Sequence, residues 1–196
     1  GQSSVLARAV SIAAVAFGVV WVLAPGEARA GVGVTGKQGI EIEGPRNRRG
    51  FYIGPDVGFA ATFFGKDLMP SMKIGLSLGG GVTERITLGV IVHVSPYLKS
   101  GGYVGFGGDI ELTGFVYEGL YLRLGVGGMG MPRGPNDNGL TGGVGARPGL
   151  GYEFFLNQSA AMAVGLDYDI RVVPENADGD LEARHGILAG VRFTWY

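Results

Sequence analysis

Cysteine is absent from all 196 residues, which excludes a disulfide framework, a thiolate metal site and a thiol nucleophile. Charge is scarce too: 17% of residues are charged and the formal net charge is −1, so the chain lacks the basic footprint that nucleic-acid binding needs. With 46% apolar residues, that scarcity also excludes a disordered chain. Nine prolines and no G-X-Y period exclude a collagen-like fibre, although 39 residues are Gly. Long apolar runs are missing beyond residue 30, because Gly or a charge interrupts every few positions, and no later stretch is suited to cross a membrane as a helix. What remains is glycine set among Val, Leu, Ile, Phe and Tyr, a mixture that suits strands.

The first thirty residues differ from the rest. Arg8 precedes an apolar run over 9–23 that stops at Pro25-Gly26 and is followed by Ala28-Arg29-Ala30. A charged start, an apolar stretch, a helix breaker and an A-x-A ending predict a secretory signal peptide over 1–30, cleaved after Ala30. Residues 31–50 are polar, Gly-rich and basic at their end (Arg46, Arg48, Arg49), and are expected to form a solvated periplasmic tether. Residues 51–196 form the folded domain.

There the period is two. Apolar residues alternate over 51–63, 72–78, 86–94, 104–116, 120–126, 144–154, 162–170 and 187–195, which predicts eight strands. Charges test that phase independently. Asp56, Lys73, Asp109, Glu111, Arg123, Arg147, Glu153, Asp167, Asp169, Arg171 and Arg192 all fall on the opposite face and none on the apolar one. Three features put the apolar face outside. The segments are about 9 to 13 residues long, which suits tilted crossing of a bilayer. Glycines crowd the polar face, as the narrow interior of an eight-stranded barrel requires. Connections alternate between tight ones (82–85, 117–119, 157–160) and longer ones (65–70, 97–102, 131–141, 173–185). In lipid every backbone polar group must be paired internally, so the sheet must close. The expected fold is all-β: an eight-stranded antiparallel transmembrane up-and-down barrel. Phe63, Phe64, Tyr97 and Tyr103 at one end, and Phe51, Tyr117, Tyr121, Phe154, Phe155, Trp195 and Tyr196 at the other, are expected to form two interfacial girdles.

Signal peptide, tether, eight amphipathic strands and the final run Gly190-Val191-Arg192-Phe193-Thr194-Trp195-Tyr196 resemble the small outer-membrane β-barrels of Gram-negative bacteria, of the OmpA, OmpX and OmpW type. The resemblance covers about residues 50–196 as architecture. It implies an outer-membrane address, contact with outer-membrane lipid and lipopolysaccharide, and delivery by periplasmic chaperones to the barrel-assembly machinery. That machinery reads an aromatic closing strand, here Phe193, Trp195 and Tyr196, with Tyr196 one residue beyond the lipid-facing series.

Six acids (Asp56, Asp109, Glu111, Glu153, Asp167, Asp169) and five bases (Lys73, Arg123, Arg147, Arg171, Arg192) point inward, with His93 as a further titratable group. Buried charges persist only when paired, so a salt-bridge network is expected to plug the lumen, with a structural or loop-mediated binding role, an unspecified loop ligand and no catalysis. Two alternatives are a narrow small-solute channel and a lipid A-modifying enzyme. The enzyme reading comes from barrel deacylases that use a His-x-Ser pair with an acid nearby, which His93-Val94-Ser95 and Glu111 resemble; the plainer expectation is that His93 bonds Asp109 or Glu111. Residues 131–142 are a Pro- and Gly-rich loop. The acidic loop bearing Glu175, Asp178, Asp180 and Glu182 has an Asp-x-Asp spacing that hints at Ca²⁺, but is expected to keep the rim soluble; no metal or cofactor is expected.

Overall fold

A computed structural model describes residues 48–98, 103–134, 137–157, 159–174 and 181–196, with the side chains of 134, 137 and 138 not described. The signal peptide expected over 1–30 and the tether up to residue 47 lie outside the described residues. Eight strands follow one another: β1 (Gly50–Phe64), β2 (Asp67–Gly81), β3 (Ile86–Pro96), β4 (Val104–Tyr117), β5 (Leu120–Gly134), β6 (Asp137–Phe155), β7 (Ala160–Pro174) and β8 (Leu181–Trp195). Each pairs antiparallel with the next, and β1 pairs with β8 through Val57↔Val191 and Asp56↔Arg192, so the sheet is a closed up-and-down barrel.

Closure leaves no edge, which is the condition for a sheet in hydrocarbon. The outer surface is apolar on every strand, as at Phe59 (64% exposed), Val90 (49%), Ile110 (62%) and Val144 (68%). Side chains one residue away in sequence point inward. Asp56, Lys73, Asp109, Glu111, Arg123, Arg147, Glu153, Asp167, Arg171 and Arg192 are all buried there.

Glycine makes room for this content. Tyr52 lies across the backbones of Gly79 and Gly89, and a Cβ added at Gly79 would stand 2.7 Å from the Tyr52 ring. Tyr121 lies likewise across Gly151 and Gly165, where a Cβ at Gly165 would stand 2.6 Å from the phenol oxygen. Both rings belong to the lower end of the barrel, where β1 begins.

Two expectations are corrected. The connections taken as long at 65–70 and 131–141 are largely strand: the ladder continues to Phe64↔Asp67 and to Gly134↔Asp137. Only Gly65 and Lys66 separate β1 from β2, with Gly65 in the left-handed region (φ 58°) that a tight hairpin demands. The alternation faded there because inward residues at the upper end are themselves apolar: Phe64, Met69, Tyr97, Met129, Met131 and Val173 form a buried cluster. The second correction concerns the girdles. Phe51, Phe63, Tyr117, Phe154 and Trp195 are exposed, but Phe64, Tyr97 and Tyr121 are buried inside the lumen.

Two outcomes test this arrangement. Val90→Arg, on the lipid face near the centre of β3, should cost about 2–4 kcal/mol of folding free energy in liposomes, measured by urea titration, because a charge there meets hydrocarbon. Gly165→Val should cost about 1–3 kcal/mol by overpacking against Tyr121, and Tyr121→Ala in the same chain should recover part of it.

Candidate functional site

The site is the lumen itself. Inward carboxylates and cations from seven strands form one connected network. Arg123 on β5 grips Asp167 on β7 through both guanidinium arms, Nε–Oδ1 and Nη2–Oδ2 each 2.6 Å. Arg192 on β8 holds Glu111 on β4 in the same forked manner, with Nη2–Oε2 at 3.0 Å, while its Nε lies 3.4 Å from Asp56 on β1. Strands β8 and β4 face each other across an eight-stranded ring, so this pair spans the bore. Lys73 on β2 approaches the other oxygen of Asp56 at 3.4 Å.

The same network continues upward. Asp109 on β4 is shared by Arg147 on β6 (Nη2–Oδ2 2.9 Å) and Arg171 on β7 (Nη2–Oδ1 2.9 Å). Arg171 donates further to Asp169 at 2.8 Å and to the Gly127 carbonyl at 3.1 Å. Arg147 lies 3.9 Å from both Glu111 and Asp167, which joins the two halves. Forked Arg–carboxylate contacts are the strongest of such pairs and the most demanding in geometry. Ten of the twelve luminal residues expected from sequence are therefore brought together; Glu153 and His93 are not.

Glu153 sits below the network and meets a residue that sequence reasoning placed in the tether. Arg48 is buried: its Nε donates to Glu153 Oε1 at 2.8 Å, and its terminal nitrogens donate at 3.3 Å to the carbonyls of Glu84 and Glu118 in two lower turns. Its guanidinium carbon lies 3.7 Å from the centre of the Phe115 ring, a cation–π contact. The second Glu153 oxygen accepts from the Tyr196 hydroxyl at 2.8 Å. Tyr196 turns inward, stacking on Phe155, while Phe193 and Trp195 face out. Burial and the Glu153 carboxylate hold the Tyr196 phenol well above its ordinary range, so it stays a proton donor. The expected solvation of the basic tether thus fails at Arg48, whose length lets it reach under the barrel wall; Arg49 is exposed, 3.9 Å from Glu84.

His93 is buried on the inner wall, but its Nδ1 has no hydrogen-bond partner, and both Glu111 oxygens are taken by Arg192. The expected bond to Asp109 or Glu111 is therefore not made at Nδ1. His93 and Ser95 share the luminal face and are both buried, with no acid oriented on the imidazole at that nitrogen. At Nδ1, therefore, no acid makes the base-orienting contact of a nucleophilic triad.

Above the network the apolar cluster narrows the bore. Arg184, also missed from sequence, stacks its guanidinium 4.4 Å from the centre of the Phe64 ring and donates to Glu182 (2.9 Å) and to the Pro132 carbonyl (2.7 Å). Tyr97 belongs to this cap; burial, then the nearby Asp169 charge, push its phenol up to about 12. The even spacing of Arg184 from Arg192 on β8 was the signal available for it. Arg48 had none, because it precedes the first alternating residue. Residues 175, 178 and 180 of the acidic loop lie outside the described residues, and no cluster of metal-ligating side chains occurs among the described ones.

The Arg48 clasp generates a direct test. In this cysteine-free chain, Thr113→Cys places one thiol in the lower lumen, and its rate of modification by a small charged thiol reagent should rise clearly when Arg48→Ala is added. An unchanged rate would show that Arg48 does not close that mouth.

No family model matches the sequence, and no curated protein matches it. Solved structures do. Neisserial surface protein A is similar at 16% identity, covering 72% of this chain and 95% of that one, with a TM-score of 0.50. The N-terminal β-barrel domain of Pseudomonas aeruginosa OprF is 15% identical over 72% of this chain and 97% of that one, TM-score 0.41. The outer-membrane protein AlkL, determined in lipid bilayers, is 10% identical over 85% and 96%, TM-score 0.46. Eight antiparallel strands closed on themselves, oily outside and ionic within, give this chain the fold of the small eight-stranded outer-membrane β-barrels.

Proposed function

We propose that this chain is a resident of the bacterial outer membrane, exported by a signal peptide over 1–30, with a lumen closed by ion pairs and a role that is structural or carried by its outer loops. The single observation that carries the reading is the Arg192–Glu111 fork between opposite strands, continued to Asp56, Lys73, Arg147, Asp109, Arg171, Asp169, Asp167 and Arg123. An eight-stranded bore is only wide enough for side chains, and here cross-bore pairs occupy it. Phe193 and Trp195, outward on β8, are the aromatics offered to the assembly machinery; Tyr196 is engaged inside with Glu153. Outer-membrane lipid and lipopolysaccharide are the partners of the apolar belt. No catalytic step is assigned.

Planar-bilayer recording tests the plug. The native barrel should show no steady single-channel conductance, and a stable open level would overturn the reading. Glu111→Ala should destabilise the folded barrel by about 3–5 kcal/mol, because it leaves Arg192 buried without its forked partner. Glu111→Gln with Arg192→Gln together should cost less than Glu111→Ala alone, measured by the mobility shift between folded and heated protein on gels.

A further inference from the structure

Between the ionic network and the apolar cap lies a small cavity of ≈ 30 Å³, room for about one or two water-sized bodies. Its wall is unevenly charged. Lys73, Arg147, Arg171 and Arg184 line it, against Asp169 as the one carboxylate in its lining. Two of those cations are saturated: Arg171 by Asp169, Asp109 and the Gly127 carbonyl, and Arg184 by Glu182 and the carbonyls of Pro132 and Arg133. The other two are not. Lys73 Nζ and Arg147 Nε are buried without a hydrogen-bond partner: Lys73 Nζ lies 3.4 Å from Asp56 Oδ1 and Arg147 Nε 3.9 Å from Asp167 Oδ2, while Arg147 Nη2 lies 2.9 Å from Asp109 Oδ2. His93 Nδ1, on the same cavity wall, is unpartnered as well.

These three side chains converge. Ile74 pairs with Val94 and Gly75 with His93, so Lys73 on β2 stands across from Ser95 on β3, with His93 diagonal to it. Lys73, His93 and Arg147 all line the one cavity. Each of Lys73, His93 and Arg147 is at least nine-tenths buried. Donors left unpaired in such a place are costly, and two cations on the wall of one small cavity repel each other as well. Neutral water would satisfy the donors but leave the repulsion. An anion answers both.

We propose that this cavity binds one small monovalent anion, held between the Lys73 ammonium and the Arg147 guanidinium with the His93 ring as its third wall. The chemistry is that of a halide or a short carboxylate: one charge, no extended body, several acceptor directions. Tyr97, Met129 and Met131 roof the site, so the anion is shielded from bulk water on that side. The carboxylates nearest the two cations, Asp56 and Asp109, are drawn to other partners as well, Asp56 towards Arg192 and Asp109 towards Arg171.

Bromide is the probe. Crystals of the refolded native barrel grown in sodium bromide should show an anomalous peak within hydrogen-bond reach of Lys73 and Arg147. No peak there, or peaks only on the outer surface, would overturn the proposal. In micelles, the unfolding midpoint of the native chain should rise with the logarithm of bromide concentration against sodium gluconate at matched ionic strength, since a ligand that binds only the folded state stabilises it by mass action. Lys73→Gln should lose that rise and Lys73→Arg should keep it. An equal response to both salts in the native chain counts against the site whether or not the Gln variant folds. A conducting barrel would sink the plugged-lumen reading without removing the bromide peak, so the two can fail separately.

Discussion

Hydrocarbon cannot hydrogen-bond to a peptide, and the rest of this molecule depends on that. A strand set in lipid must find partners for all its N–H and C=O groups within the protein, and the pairing of β1 with β8 through Val57 and Val191 supplies the last row of them. Once the sheet is a ring of eight, its bore is fixed at about the width of the side chains that fill it. The alternation of the strands then does two things at once: it turns Val90, Ile110 and Val144 to the outside and commits their sequence neighbours to a space closed to bulk water. Every property of the lumen follows from that confinement.

Confinement explains why the inward charges pair so thoroughly and why they pair across the bore. A carboxylate such as Glu111 cannot rotate out to solvent, since its strand holds it inside; its stabilisation has to come from the facing wall, and Arg192 on β8 is there. Arginine suits the task better than lysine because its planar fork meets both carboxylate oxygens, as Arg123 does at Asp167. Lys73, a point charge on a flexible stem, makes only a longer approach to Asp56, and it borders the cavity where donors remain unspent. The glycines complete the arrangement by making way for whole rings, Tyr52 over Gly79 and Tyr121 over Gly165.

Much of this was legible in the sequence because a period of two is a strong signal when the two faces differ in polarity. Asp167 and Arg171 on β7 could be assigned inward from their neighbours Leu166, Tyr168 and Ile170 without knowing any partner. Partnership was not legible: nothing along the chain says that Arg192 reaches Glu111 rather than Glu153, because that depends on the stagger of the strands around the ring. The signal also failed where the faces were alike. Met129 and Met131 are apolar and inward, so β5 and β6 seemed to end before they do. Tyr97 and Tyr121 were taken for girdle residues because an aromatic near a strand end is ambiguous until its phase is known. Arg48 was invisible for a different reason: it lies before the first strand and owes its burial to the turns carrying Glu84 and Glu118.

On the plugged-lumen reading proposed above, three different kinds of contact close the bore along its length. At the lower mouth a lead-in arginine, Glu153 and the Tyr196 hydroxyl form a clasp built partly on backbone carbonyls, so its strength depends on how the turns are held. At mid-height the closure is ionic, and a passing charge would have to displace partners already matched in sign, as at the Arg192–Glu111 and Arg123–Asp167 forks. At the upper end Phe64, Met69, Tyr97, Met129, Met131 and Val173 close the bore by exclusion of water rather than by charge. An ion that loosened the Arg192–Glu111 fork would still face an apolar constriction, and a small apolar solute that passed the cap would meet buried charges it cannot solvate. On that reading, opposed selectivities in series would make the barrel a poor conduit for either class of solute. The proposed anion site lies in the polar chamber between them, where the same two barriers would hold a small anion once admitted.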